Sequence, residues 1–321
     1  MKKVDFDNEF KNPGSEYRSI PFWAWNDELD TDEIRRQIRE MKSCGIGGFF
    51  IHSRDGLETE YLSDKWFECV SAAVDEAKKS GMFSWLYDED RWPSGTCGGS
   101  ITATDKNGCK GLTLEVCFSV PEKIEGNVLV LYKAEVHEME IYSLERICNA
   151  DGLILSDKEA LLIARLEVSG KSEWFNNSAP PDNLSFDTVS DFINNTHKIY
   201  KKAVGSEFGK TIPGIFTDEP SLADRHASFN PNRSWIPWTE EFEKYFFEKR
   251  GYDVLDMIPY FYFNGEKSAK IRHDYWRTVS ERFKEAYSVQ IGDWCRENNL
   301  LFTGHFLQED KMGLSCRVNG S

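Results

Sequence analysis

No two cysteines of this chain stand in a Cys-x-x-Cys pair, so spacing alone disfavours a zinc ribbon or a thioredoxin-type redox site. The eight cysteines are scattered at 44, 69, 97, 109, 117, 148, 295 and 316, several in apolar segments, and read as reduced, buried thiols. No Walker A stretch occurs, and GTCGGS at 95–100 lacks the glycine order of a dinucleotide fingerprint. No run approaches the roughly 18 apolar residues of a membrane span. The N-terminus, MKKVDFDNEF, has no apolar core after its two lysines, so it does not read as a secretory leader, and the expected location is cytoplasmic. Positive charge is scarce: 39 Lys and Arg face 54 Asp and Glu, a formal net charge of −15. A surface that acidic repels nucleic-acid phosphates and anionic membranes but leaves room for a neutral ligand such as a sugar.

Apolar residues make up 40% of the 321 positions, enough for a sizeable core. Short apolar runs at 19–25, 47–52 and 82–87 read as strands, with helical spacing between them at 32–43 (Ile34, Ile38, Met41) and 65–80 (Phe67, Val70, Ala73, Ala77). Thr31 is the expected N-cap of the first of these helices. Apolar strands alternating with helices of this length mean βα units and a parallel sheet. The rhythm then changes: 111–170 carries strand-like runs without helices, expected as a small antiparallel insert. Beyond it the alternation resumes, with a helix over 187–204, a strand over 212–217, a loop rich in Trp and Pro (SLADRHASFNPNRSWIPWT), helices over 240–250 and 268–298, and a strand over 300–305. The expected architecture is α/β, a (β/α)8-type barrel that is incomplete at about five βα units with a β-rich insert after strand three. The expected domains are 1–110 (the first three units), 111–170 (the insert) and 171–321 (the continuation through strand five).

Four strands end in polar clusters. The second ends in His52-Ser53-Arg54; the third runs into Asp88-Glu89-Asp90-Arg91-Trp92-Pro93-Ser94-Gly95; the fourth runs into Asp218-Glu219-Pro220; and the fifth runs into His305 with Glu309 four residues on. Parallel barrel strands present their C-terminal ends to one face, where such carboxylates converge. Glycosidic bond cleavage needs that kind of set: one carboxylic acid to protonate the leaving oxygen, and a second carboxylate to activate water or attack the sugar. Glu219, Glu309 and Asp218 are the candidate catalytic acids. His52, Asp88, Glu89, Asp90, Trp92 and His305 are the candidate substrate-binding residues. Strand alternation does not decide which of Asp218 and Glu219 faces the pocket, though Ile215 and Thr217 share parity with Glu219. Each residue also has a structural reading: Asp218-Glu219-Pro220 as a helix-capping loop start, the 88–90 acids as a solvated turn, and the histidines as hydrogen-bonded core. Trp92, just beyond a strand end, is the ring expected to line the acidic pocket. A metal site from His52, Asp88 and His305 lacks any tight spacing signature, so none is assigned. No cofactor is expected either, although a divalent cation such as calcium stays open.

The block PFWAWNDELDTDEIRRQIREMKSCGIGGFFIHSRDGL resembles the start of the barrel in large glycoside hydrolases similar to the alpha-L-rhamnosidases of family 106. WLYDEDRWPSGTCGG, FGKTIPGIFTDEPS and LLFTGHFLQED extend the likeness in the same order. The resemblance implies a (β/α)8 barrel and active-site acids in the FTDEP and GHFLQE blocks, which fall on Glu219 and Glu309. It implies an O-glycosidase with a carbohydrate substrate, possible inversion at the sugar carbon, and a usual chain far longer than this one. The wider clan of beta-galactosidase-like barrels carries Asn-Glu at strand four, where this chain has Asp218-Glu219, and that departure counts against their retaining mechanism. The competing expectations are a sugar-binding barrel fragment without catalysis and a metal-dependent barrel hydrolase. An unclosed barrel would also self-associate through its open edges.

Overall fold

The structure, a computed structural model, describes residues 6–222 and 227–306. Among the described residues the chain falls into two compact units. The stretch ending at Ile101, Val189–Ser221 and the stretch beginning at Ser288 build the first; Thr102–Thr188 and Leu222–Tyr287 build the second.

The first unit is organised around a parallel sheet of β1 (Phe22–Trp25), β2 (Gly48–Ser53), β3 (Phe83–Tyr87), β8 (Gly214–Asp218) and β10 (Leu301–His305). Its spatial order, β1-β2-β3-β8-β10, follows the order of the chain, and β1 and β10 are the edges. The bounds of all five lie within three residues of the apolar runs that predict them. Strands added in chain order are the winding of a barrel-type sheet. A doubly wound sheet reverses its order at a switch point.

The helices begin and end where local chemistry dictates. Thr31–Ser43 is capped by Asp30, whose carboxylate accepts the N–H groups of Asp32 and Glu33 at 3.0 and 2.9 Å. Thr31 is the first helical residue rather than the cap, because the carboxylate one position earlier reaches those donors. Asp64–Ser80 starts on Ser63 and ends at Gly81, which takes the left-handed conformation that glycine adopts without penalty (φ 61°). Trp66 of this helix packs against Trp25 of β1 at 5.2 Å, edge to face, burying that side of the sheet. Gly304 lets β10 lie close along β8: a Cβ there would stand 2.1 Å from the Thr217 carbonyl oxygen.

The second unit holds an antiparallel sheet in the order β6-β5-β7-β4-β9. Its members are β4 (Lys110–Cys117), β5 (Val128–His137), β6 (Glu140–Ile147), β7 (Glu159–Val168) and β9 (Ser234–Trp238). Leu131, Leu161 and Ile163 form a core beneath Val120, Ile124 and Leu155. β9 lies inside the segment expected as a loop. Its Pro237 cannot donate to a ladder, but β9 is an edge strand, the position where a sheet tolerates proline. No described helix is long and apolar enough to cross a membrane.

Candidate active site

Alternation along the parallel strands gives the sheet one strongly aromatic face. Phe22, Phe50, Trp85 and Phe216 meet there, with ring centroids 4.9–5.5 Å apart in the pairs Phe22–Phe50, Phe22–Phe216, Phe50–Trp85 and Phe50–Phe216. Two residues on, at the C-terminal ends, the same face turns polar and presents His52, Tyr87 and Asp218, with His305 closing the row. The His52 ring lies 4.1 Å from Tyr87, and the His305 ring lies 5.6 Å from Phe216.

Asp218 is the centre of this group. It is 8% exposed, and both its oxygens are engaged. The Tyr87 hydroxyl donates to Oδ2 at 2.6 Å, and His305 Nε2 meets Oδ1 at 2.7 Å. Its backbone N–H donates to Ser94 Oγ and its carbonyl accepts the Ser94 N–H, both at 2.8 Å. The Ser94 hydroxyl in turn donates to Asp88 Oδ1 at 2.6 Å. Burial, with Asp218 second, pushes the Tyr87 phenol far above its ordinary value, so it stays a donor.

Simple alternation would send the next side chain, Glu219, to the opposite face with Ile215 and Thr217. Instead Glu219 adopts φ 46°, in the left-handed region, and its N–H donates to the His305 carbonyl at 3.0 Å. The turn brings its carboxylate round to Asp218 and His305, so that ligand atoms of the three residues lie within 4.8 Å of one another. A non-glycine residue in this region costs of order 1 kcal/mol or more and persists where the surroundings impose it, commonly at functional sites.

The acidic run after β3 separates into three roles. Asp88 is fully buried; burial first, with Glu89 and Asp218 adding, pushes its carboxyl well above the usual range. Glu89 is also fully buried, but its two oxygens accept five backbone N–H groups, from Asp90, Gly95, Thr96, Cys97 and Gly98, at 2.6–3.0 Å. Burial raises this carboxyl while those donors hold it down. Glu89 is therefore the internal anion around which loop 90–98 is wrapped, and its lone pairs are taken up there. Asp90 accepts the Ser53 hydroxyl at 2.9 Å and faces Arg91 at 3.6 Å. Trp92 is half-buried, with the Arg54 guanidinium 4.2 Å above its ring. His52 is buried and its Nε2 makes no hydrogen bond among the described residues; burial first, then Arg54, lowers it to about 4.

Of the residues singled out in the sequence, Asp218, Glu219, His305, His52 and Asp88 belong to one connected cluster, and Glu309 lies outside the described residues. Tyr87 and Ser94 hold Asp218, a polar role that the sequence alone does not assign to them. Tyr87 shares strand parity with Trp85, and that parity was the available signal.

No family model matches the chain. A putative beta-glucuronidase from Formosa agariphila is 19% identical over 94% of this chain and 30% of its own length. The structure of a rhamnosidase from Novosphingobium sp. PP1Y superposes over 95% of this chain and 47% of that one, with a TM-score of 0.62 and 14% identity. The chain thus spans about a third to a half of the proteins it resembles. At that identity the structural likeness establishes a shared fold.

Proposed function

We propose that this protein hydrolyses O-glycosidic bonds, with Glu219 donating the proton to the leaving oxygen. The observation that carries the reading is the convergence of Asp218, Glu219 and His305 within 4.8 Å at the strand ends, produced by the left-handed turn at Glu219. In this reading the five strands are units of a (β/α)8 barrel, and β1 and β10 are the edges that further units would cover. Phe22 (49% exposed) and Leu301 (61%) lie on those edges, and left uncovered they would drive self-association.

Asp218 and Glu219 are too close to be the two acids of an inverting pair, which stand roughly 6.5–9.5 Å apart to admit water. Asp218, gripped by Tyr87 and His305, orients the site and supplies negative charge opposite the oxocarbenium-like sugar. The second acid is assigned to Glu309: it takes the proton of the attacking water as Glu219 gives its own to the departing sugar oxygen, and the two acids exchange states over one turnover. Carbohydrate is the substrate, in keeping with the glycosidase names carried by both similar proteins. Alpha-L-rhamnosides and beta-glucuronides are the first to try.

A second reading has a specific observation behind it. One imidazole nitrogen and two carboxylates this close form a donor set that suits a divalent cation, which would polarise the leaving oxygen. A panel of nitrophenyl glycosides, with and without chelator, tests both. Turnover that resists the chelator supports the two-acid mechanism; turnover abolished by it and restored by calcium or zinc supports the cation. No turnover with any glycoside contradicts the hydrolase reading and leaves sugar binding alone.

A further inference from the structure

Arg54 follows the end of β2, two residues after His52, and its backbone is fixed on both sides. Its N–H donates to the Trp25 carbonyl and its own carbonyl accepts the Leu57 N–H, both at 3.1 Å. The guanidinium carbon stands over the Trp92 ring, 4.2 Å from its centroid. Among the described residues it makes no hydrogen bond or ion pair, whereas every other described arginine donates to a carboxylate or a backbone carbonyl.

A shortage of acids is not the reason, since the chain carries 54 Asp and Glu against 39 Lys and Arg. Asp55, the next residue, faces Arg91 at 3.4 Å, and Asp90 also faces Arg91. The nearby carboxylates are thus claimed by the other arginine. A cation–π contact uses the face of the guanidinium and leaves its in-plane N–H donors for a second partner, and their fork matches a carboxylate or sulfate. The second observation is the buried His52 Nε2, which lacks a partner in the same place. The charges of Arg54 and Asp218 both bear on the His52 ring, so the guanidinium stands at the same strand ends as the acids.

We propose that Arg54, held on the face of Trp92, recognises an anionic substituent of the sugar, either a carboxylate or a sulfate ester. This deepens the glycosidase reading of the same site and rests on it. The anionic group sits at the Arg54 end, and the glycosidic oxygen sits at Glu219. Arg54 is a specificity residue and takes no part in proton transfer.

Binding, measured by calorimetry on the full chain, tests this apart from turnover. The probes are methyl glucuronide and methyl galacturonide, each against its neutral methyl ester, and methyl glucoside 6-sulfate against methyl glucoside. The uronide and sulfate arms tell the two anion sources apart. At least one anionic probe should bind about tenfold or more tighter than its neutral match, a difference typical of one charge-assisted pair. Arg54→Met should erase that preference and Arg54→Lys should keep part of it, while Glu219→Gln leaves it in place. The absence of a tenfold preference in every pair, or its survival in Arg54→Met, overturns the proposal. Turnover of neutral glycosides without any such preference would leave the hydrolase reading standing and remove this one. Preference without turnover would do the reverse.

Discussion

Asp182 in the second unit and Asp218 in the first are both buried aspartates, 2% and 8% exposed, and they are satisfied in opposite ways. Asp182 faces Lys110 Nζ at 3.5 Å, accepts the Thr239 hydroxyl at 2.7 Å and accepts the Leu184 N–H at 3.2 Å. Lys110 is itself buried and donates to the Lys106 carbonyl at 2.8 Å. Burial pushes the Asp182 carboxyl up, and Lys110 is the first of the groups that pull it back. The network closes on itself, with a permanent cation for the buried charge. Among the described residues Asp218 has no lysine or arginine as a hydrogen-bond or ion-pair partner. It has a phenol, an imidazole and two further carboxyls, Glu219 and Asp88. A buried charge balanced by a fixed cation is architecture; one surrounded by groups that can gain or lose a proton is equipped for chemistry.

Breaking the closed network should have the largest effect on stability. Lys110→Met strands Asp182 without its cation, and unfolding by urea should show a loss of about 3–5 kcal/mol. Glycoside turnover per folded molecule should be unchanged. The next effect comes from acid. His197 is fully buried between Phe192 and Trp294, and burial lowers it from 6.5 to about 3. An imidazole depressed in the folded state takes up its proton on unfolding, so its contribution is complete above pH 6.5 and declines as the pH falls toward 3. By pH 4 the loss should reach about 3 kcal/mol. Urea midpoints measured at pH 7 and pH 4.5 should differ less in His197→Phe than in the wild type.

Two smaller effects sharpen the open cluster. Tyr87→Phe removes one of the two side chains that grip the Asp218 carboxylate, and kcat should fall about 10–150-fold, the worth of a hydrogen bond to a charged group. The pH profile should move with it; a merely structural loss would lower activity without moving the profile. Asp88→Asn should cost less than about 1 kcal/mol, because burial pushes this carboxyl toward its neutral form and the amide matches its shape. A loss as large as that of Lys110→Met would show that Asp88 is an ionised structural anion and would erase the contrast between the units.

The parallel strands are legible because each is a short apolar run and each after the first is preceded by a helically spaced segment. The convergence of polar residues at their ends followed from parallelism. The direction of Glu219 was not legible, because strand alternation fails at a residue in the left-handed region, and nothing in Thr-Asp-Glu-Pro announces that turn. The role of Glu89 was hidden for a similar reason: three consecutive acids look alike until the loop folds back and supplies five N–H donors to one of them. β9 looks like loop in the sequence because Pro and Trp mark loops as readily as edge strands. Arg54 was visible only as part of a polar strand end, since the lack of a counter-ion is a property of the folded chain.

The most direct test of the central claim is kcat on a glycoside that the wild type hydrolyses, compared between wild type and Glu219→Gln. Glutamine keeps the size and the backbone turn but cannot deliver the proton, so kcat should fall about 10²–10⁴-fold with the fold intact by circular dichroism. Turnover in Glu219→Gln within about threefold of wild type, far short of what loss of a general acid costs, would contradict the account.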